Sequence, residues 1–426
     1  MRRKVLIVTY YWPPSGGPGV QRVLKFVKFL PQFGWDPVIL TVDSGEYPVR
    51  DETLVKDIPK EVPQYKTKSI EPYRLFKFFS GRSSKKGVEN YLLDQKPSTL
   101  NGRIAQFIRQ NFFIPDARVG WYPYARKKGM EIIEREKPDI IFSSSPPHSL
   151  QLAARSLHRS SGIPWVADFR DPWTQAFWDK GLRRNPISNR INLNFEKSVM
   201  REASAITVVS KGMIALLSRQ YSEKFTVISN GYDKDDFTSS NPPDQFFRIL
   251  YTGHIARSQN PLAFFKAISS LDKDVLEKCR IEFYGKSDPS VHRAIVEYNL
   301  EKHIHLLDYV AHNEATALMQ QADILLLLIP ADFGKGILTG KLFEYLATGN
   351  FILGLGDEQD DAADVLRKTN CGIMKDYKSD VKHVLLAQFK KWEQGEKNMP
   401  DWNEIEAYSR QNLTKRLVAV FDTVSR

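Results

Sequence analysis

Residues 333–349 read Phe-Gly-Lys-Gly-Ile-Leu-Thr-Gly-Lys-Leu-Phe-Glu-Tyr-Leu-Ala-Thr-Gly and concentrate more chemistry than any other stretch of the chain. They lie between the apolar runs 323–330 and 350–356, which gives the order strand, glycine-bearing loop, short helix, strand. Such a loop at a helix N-terminus leaves backbone N–H groups unpaired and directed outward, where phosphate oxygens accept them. Lys341 adds a cation in the first turn, and Glu344 a carboxylate one turn further on. A cation for a diphosphate and a carboxylate for ribose hydroxyls together suit a nucleotide-sugar. The plainer alternative is an exposed i,i+3 helix pair worth roughly 0.2–0.5 kcal/mol.

Four further constellations stand at strand ends. Tyr10-Tyr-Trp-Pro-Pro-Ser-Gly-Gly-Pro-Gly19 joins a first strand to a helix, and Gly16 and Gly17 permit close approach of a ligand to backbone. It lacks the last glycine of the dinucleotide fingerprint, so a simple strand-to-helix turn is the alternative. Asp168-Phe-Arg-Asp-Pro-Trp173 places Asp168 and Asp171 around Arg170 at the end of a buried strand. Carboxylates there orient Arg170 or an acceptor hydroxyl, or else close an internal salt bridge. His148, ending Ser143-Ser-Ser-Pro-Pro-His148, is either a proton shuttle or hydrogen-bonding group, or a capping and packing residue. In Tyr251-Thr-Gly-His-Ile-Ala-Arg257, Gly253 frees backbone at a strand end, and His254 or Arg257 faces a diphosphate unless each is merely a loop charge. The acidic runs 233–236 and 357–361 read as helix caps or surface, and no metal is assigned.

The elements that must position these residues alternate throughout. Strand-length apolar runs fall at 4–9, 37–42, 139–143, 165–168, 205–209 and 225–228, then at 248–251, 279–284 and 304–307, before the two runs around the 333–349 loop. Helix-length segments, such as 19–33, 148–160, 190–203, 259–271, 289–299 and 312–321, separate most of them. Continuous apolar strands with helical crossovers imply parallel sheets covered on both faces, with ligands at the carboxyl ends. The polar, proline-bearing stretch 238–245 divides the chain into two such α/β halves. Residues 44–102 are the least regular, and 403–424 read as a final helix.

A chain of 426 residues exceeds one ordinary core and fits two. Hydrophobic content of 42% and charged content of 26% belong to a soluble globular protein. No apolar run is long enough to span a membrane. The basic start is followed by only four apolar residues, so it reads as a buried strand, not a leader. Cys279 and Cys371 have neither disulfide-framework nor zinc spacing, which fits a reducing, cytoplasmic setting. The net charge of +11 is localised: residues 66–128 hold 14 Lys and Arg against 4 Asp and Glu, with 11 aromatics. A basic, aromatic segment of that kind suits a face that meets an anionic surface.

Taken in order, Pro13-Pro-Ser-Gly-Gly-Pro-Gly19, Pro138-Asp-Ile-Ile141, Arg170-Asp-Pro-Trp173, Glu196 through Ala205-Ile-Thr-Val-Val-Ser210, Ile228-Ser-Asn-Gly-Tyr-Asp233, Tyr251-Thr-Gly253 and Gly340–Gly349 resemble the retaining GT-B glycosyltransferases of glycosyltransferase family 4. The resemblance covers nearly the whole chain and is weakest over 44–130. It implies two Rossmann-like domains facing across a cleft: 1–238 for the acceptor, 246–402 for the donor, and a terminal helix, 403–426, that crosses back. It implies donor contacts from Gly16, Gly17, Gly253, His254, Val310, Leu338, Thr339, Gly340, Lys341 and Glu344, with Glu344 on the ribose. Acceptor contacts fall to Asp168, Arg170 and Trp173, and the chemistry to His148, Asp171, Arg257 and Lys341. No cofactor is implied beyond the nucleotide-sugar co-substrate.

The chain departs from that family pattern in two places. The glutamate expected eight positions before Glu344 is Gly336, beside Lys335, so the sugar contact passes to backbone N–H groups of 336–338 or elsewhere. The arginine expected after Gly253 is His254, and a lysine a few residues on is absent, leaving Lys341 and Arg257 for the phosphate charge. The expected function is retaining, metal-independent transfer of a hexosyl or N-acetylhexosaminyl group to a lipid-linked or other saccharide acceptor. The expected setting is bacterial surface-polysaccharide assembly, in the cytoplasm on the inner membrane face, without nucleic acid. The alternatives are a nucleotide-sugar epimerase of the same architecture and a non-catalytic polyanion-binding protein.

Overall fold

The computed structural model describes residues 2–43, 45, 50–70, 100–176, 184–217, 219–237, 245–330, 336 and 338–425. The middle of the basic, aromatic segment, the linker residues 238–244 and residues 331–335 and 337 of the loop before Lys341 lie outside that set. Two compact units result, one of Met1–Ser229 with Leu413–Arg426, the other of Asn230–Asn412.

The first unit runs β1 (Arg3–Val8), α1 (Pro18–Phe29), β2 (Trp35–Val42), β3 (Gln64–Thr67), α2 (Leu100–Phe112), α3 (Tyr122–Glu136), β4 (Ile140–Ser145), α4 (Ser149–Ser161), β5 (Trp165–Phe169), α5 (Pro186–Glu202), β6 (Ala205–Val208), α6 (Lys211–Leu217) and β7 (Phe225–Val227). Its strands are parallel, in the order β3-β2-β1-β4-β5-β6-β7. Alternate residues of β1 serve two cores: Leu6 and Val8 on one face, Val5 and Ile7 on the other. That is why its sequence is continuously apolar instead of alternating.

The second unit runs β8 (Phe247–Thr252), α7 (Leu262–Ser269), α8 (Lys273–Glu277), β9 (Cys279–Tyr284), α9 (Pro289–Glu297), β10 (Ile304–Leu307), α10 (His312–Gln321), β11 (Ile324–Leu328), α11 (Gly340–Thr348), β12 (Phe351–Leu355), α12 (Asp361–Thr369), β13 (Gly372–Lys375), α13 (Lys382–Glu393) and α14 (Trp402–Glu406). The strand order is β10-β9-β8-β11-β12-β13, again all parallel. In both sheets the order reverses beside the first strand, between β1 and β4 and between β8 and β11. Ligands of open parallel sheets bind at that switch point, outside the carboxyl ends.

The units divide at Ser229, earlier than the composition of 238–245 suggests. Tyr232 is the reason: its side chain joins the core under α11, and its backbone pairs with the 408–410 segment of the same unit. The last helix, α15 (Arg410–Val424), lays Leu413, Leu417, Val418 and Phe421 onto the first sheet. Phe421 meets Trp35 and Phe142 edge-on, and Asp422 pairs with Arg3. Among the described residues no helix is long and apolar enough to cross a membrane.

Candidate functional site

On the second unit, α11 begins without a side-chain cap: Thr339 occupies the N-cap position, and its Oγ1 is buried without a partner. Lys341 Nζ donates to Tyr251 Oη at 2.8 Å and lies 4.3 Å from the ring centroid, and Tyr251 Oη in turn donates to the His254 carbonyl at 2.8 Å. The loops after β8 and β9 make room for the lysine because both turn on glycine. A Cβ on Gly253 (φ 120°) would stand 2.5 Å from Lys341 Nζ, and one on Gly285 (φ 118°) would stand 2.6 Å from the Gly253 carbonyl. Burial pulls the ammonium pKa down to about 8, with the Glu344 charge opposing. A largely desolvated cation at a helix N-terminus and a sheet switch point is a receptor for an anion.

The i,i+3 alternative does not form. Glu344 is not within ion-pair distance of Lys341, although its charge acts on the ammonium; among the described residues the His312 ring approaches it, with Nδ1 3.9 Å from Oε1. His312 Nε2 lies 3.7 Å from Asp236 Oδ2, so the ring stands between two carboxylates. The other residues expected at the donor site have surroundings of their own. His254 is exposed, with Nδ1 3.0 Å from the Lys286 carbonyl. Arg257 is exposed at the start of a short 3-10 turn, where its charge acts on Asp288. Val310 is half-buried after β10, and the Leu338 carbonyl accepts from Asn230 Nδ2 at 3.4 Å. The Gly336 N–H is engaged, donating to Asp360 Oδ1 at 2.8 Å, so the backbone donors expected at 336–338 lose that member.

On the first unit, Gly17 takes φ 101° at the N-cap of α1. A Cβ on Gly19 would strike the Arg170 guanidinium at 2.6 Å. Arg170 donates to the carbonyls of Gly19, Ser145 and Pro146, so it clamps the first turn of α1 to the end of β4. Asp168, expected beside Arg170 or at an acceptor, acts on Arg170 only through its charge and spends its hydrogen bonds elsewhere. It is fully buried and takes Arg22 through both oxygens, at 3.0 and 2.7 Å, plus Ser144 and Thr207 at 2.6 Å each. Burial alone would raise its pKa, but the Arg22 charge and these bonds outweigh it and hold the carboxyl below its ordinary value. Trp173 is likewise a packing residue: it is buried, its Nε1 donates to Asn192, and His148 stacks on it at 4.8 Å.

His148 is sealed in that stack, and burial pulls its pKa to about 3. At that value the ring is neutral near pH 7. Nε2 lies 3.2 Å from the Pro172 carbonyl and must be the protonated nitrogen, which leaves Nδ1 an acceptor without a partner. Asp171 accepts no hydrogen bond from any described residue, and burial raises its pKa against the pull of Arg170. It therefore retains acceptor capacity that Asp168 has spent.

Several residues carrying this arrangement were not singled out from sequence. Arg22 had a signal: it is one cation within the apolar stripe of α1, between Val20 and Val23, and so needed a buried partner. Asp116 had none. Its carboxylate takes the Ser149 N–H and hydroxyl at 2.8 Å each, fixing the start of α4 next to His148. Tyr251, His312, Asp236 and Asp360 were visible only as residue types.

Two Rossmann-like units of seven and six parallel strands, with glycine-bearing loops at their carboxyl ends, are the architecture of the GT-B fold. The sequence pattern of Glycosyltransferase Family 4 matches residues 19–236, and the chain belongs to that family. Among curated proteins no sequence matches. Similar solved structures include a glycosyltransferase from Rickettsia africae (13% identity over 99% of this chain and 98% of that one, TM-score 0.62). The lipopolysaccharide outer core galactosyltransferase WaaB is also similar (11%, 99% and 99%, 0.57). So is Anabaena Alr3699/HepE, whose structure holds UDP-glucose (12%, 99% and 98%, 0.56).

Proposed function

We propose that this glycosyltransferase takes a hexosyl or N-acetylhexosaminyl group from a nucleotide-diphosphate sugar and transfers it with retention to a saccharide acceptor carried on lipid. The observation that carries the donor class is Lys341, largely buried against Tyr251 and Gly253 at the uncapped start of α11. Electrostatic stabilisation of the departing diphosphate by Lys341, Arg257 and the helix amides supplies much of the rate. Among the described residues no side chain is placed as a covalent nucleophile by its contacts, and in this reading attack proceeds from the face the diphosphate leaves. The acceptor hydroxyl proton then passes to the leaving phosphate. No metal is required in this reading, and EDTA should leave turnover unchanged.

A lipid-linked acceptor, as in bacterial surface-polysaccharide assembly, places the enzyme at the inner membrane face. Helix α2 supports this. Its apolar stripe of Ile104, Phe107, Ile108 and Phe112 is exposed by 44–71%, whereas an ordinary amphipathic helix turns such a stripe inward. The helix is tied down instead by its last turn, where Asn111 bonds Asn185 and Ser188 at the start of α5. Ile187 of α5, 73% exposed, continues the apolar surface, and Arg103, Arg109 and Arg190 lie exposed along it. No Asp or Glu occurs from 95 to 115, so the surface complements anionic lipid.

A thermal-shift screen against nucleoside diphosphates and their sugars tests the donor reading; no stabilisation by any of them would sink it. Turnover of a nucleotide-sugar to its epimer without acceptor would instead support the epimerase alternative. Flotation with phosphatidylglycerol vesicles, lost on Phe107→Ser with Ile108→Ser and absent with phosphatidylcholine, is expected for the membrane face. A protein that stays below the vesicles would overturn that placement.

A further inference from the structure

We propose that Tyr251 is the positioning residue for Lys341, its hydroxyl holding the ammonium at the start of α11 for the donor's diphosphate. The inference rests on the nucleotide-sugar reading above and assigns the residue on which its phosphate contact depends. Among the described residues the one hydrogen-bond acceptor for Lys341 Nζ is Tyr251 Oη, at 2.8 Å. The hydroxyl can only accept there, because its own proton goes to the His254 carbonyl, also at 2.8 Å. The same nitrogen lies 4.3 Å from the Tyr251 ring centroid, so ring and hydroxyl both favour the charged form. An ammonium has further N–H bonds to give. Largely buried and holding a single neutral acceptor, it is not satisfied by the fold, and an anion completes it.

A second tyrosine braces the contact from the opposite direction. The N–H of Thr252, the next residue of β8, donates to Tyr345 Oη at 3.2 Å. Lys341 and Tyr345 stand four residues apart on α11 and so share one face of it. The pairing of β8 with β11 ends at Leu250, so beyond that point Tyr251 and Thr252 are tied to successive turns of α11 by these two hydroxyls. The other groups around the ammonium do not replace Tyr251. Glu344 of α11 acts on it only through its charge. Tyr345 and, after β13, Tyr377 lie beside Tyr251, and burial keeps all three tyrosines protonated. His254 is exposed, with its ring against the Lys286 carbonyl.

The test is Tyr251→Phe in the full chain, which removes the acceptor and keeps the ring. Two quantities are measured. One is the titration of Lys341 without ligand, followed by NMR with lysine isotope-labelled at Cε and assigned by Lys341→Met. The other is the affinity for UDP and for GDP. Losing a hydrogen bond to a charged group should move the Lys341 titration down by about one pH unit and weaken the bound diphosphate roughly tenfold near pH 7. Tyr345→Phe breaks the other tie: it should lower Tm and leave the Lys341 titration where wild type has it. A Tyr251→Phe titration that coincides with wild type or moves upward, one that Tyr345→Phe reproduces, or an unchanged diphosphate affinity overturns the assignment while the donor reading stands. Wild type that binds neither UDP nor GDP defeats the donor reading itself, and the inference with it. If Tyr251→Phe does not fold, Tyr251→Leu, which removes the ring as well, is put to the same titration and should move it in the same direction.

Discussion

The end of Lys341 occupies the space that any side chain on Gly253 would need: a Cβ there would stand 2.5 Å from Nζ and 2.7 Å from Cε. One residue just after β8 and one from α11, far apart in sequence, thus fix each other's identity. The glycine admits the ammonium to a buried position, and the ammonium is what a phosphate would meet.

Gly253→Ala should therefore remove nucleotide binding in a way ordinary glycine strain does not. The variant has two faults, an unfavourable φ of 120° and the collision with Lys341. Gly395→Ala has only the first, since Gly395 (φ 69°) has nothing within 4 Å of its missing Cβ. Both should lower Tm by an amount corresponding to about 1–3 kcal/mol. Only Gly253→Ala should lose UDP or GDP affinity by an order of magnitude; equal affinities in the two variants would show that the lysine does not need this space.

Lys341 also predicts a pH profile. With its pKa near 8, the ammonium is charged below that value and neutral above it. Diphosphate affinity should hold to about pH 7 and fall as pH rises through 8, in a range where a phosphate with a second pKa of about 6 no longer titrates. Lys341→Met should be weak and flat over the same range. Stability runs the other way. The ordinary lysine value is 10.5, so between 8 and 10.5 the unfolded chain binds more protons and stability from this group rises with pH. Urea midpoints of the ligand-free protein, wild type minus Lys341→Met, should increase across that window.

The parallel architecture was legible because buried strands must be apolar on both faces. Strands β9 and β10 fall where their apolar runs do, at 279–284 and 304–307. The strands not anticipated, β3 and β13, are sheet edges. Gln64-Tyr-Lys-Thr67 alternates between exposed and half-buried positions, and Gly372-Ile-Met-Lys375 has one buried residue, so neither needs the apolar run that marks the interior. The site was legible in its backbone features, the glycines and the α11 start, because those depend on local conformation. Its side-chain pairings were not. Asp168 reads as Arg170's partner from two positions away, yet a parallel sheet brings α1 over β5, and Arg22, 146 residues distant, claims it. Long-range pairing of that kind leaves no local trace.

The Arg22–Asp168 pair should be a matter of stability and not of acceptor recognition. Removing one partner strands a fully buried charge, which costs about 3–5 kcal/mol. Arg22→Ala should lower the unfolding free energy from urea titration by that much while folded enzyme keeps its KM for acceptor. Replacing both by apolar residues, Arg22→Met with Asp168→Leu, should recover part of the loss. An acceptor KM that rises with the fold intact would return Asp168 to the site.

His312 should govern how the chain tells ribose from deoxyribose. Glu344 keeps its acceptor oxygens free of Lys341, and the ring of His312 stands 3.9 Å from one of them while its other nitrogen lies 3.7 Å from Asp236. A ring held between two carboxylates has little freedom, so it limits where the Glu344 carboxylate can sit. If Glu344 takes the ribose hydroxyls, its placement matters for UDP and much less for 2′-deoxy-UDP, which lacks one of them. Glu344→Gln should compress the ratio of the two affinities toward one. His312→Ala should compress it partly, by roughly three- to tenfold, the scale of a lost positioning contact. Asp236→Asn should follow His312→Ala in direction. Calorimetric titration of each variant with both nucleotides decides the matter: a His312→Ala protein that weakens UDP and 2′-deoxy-UDP equally would mean that the ring supports the fold of α10 and has no part in reading the sugar of the nucleotide.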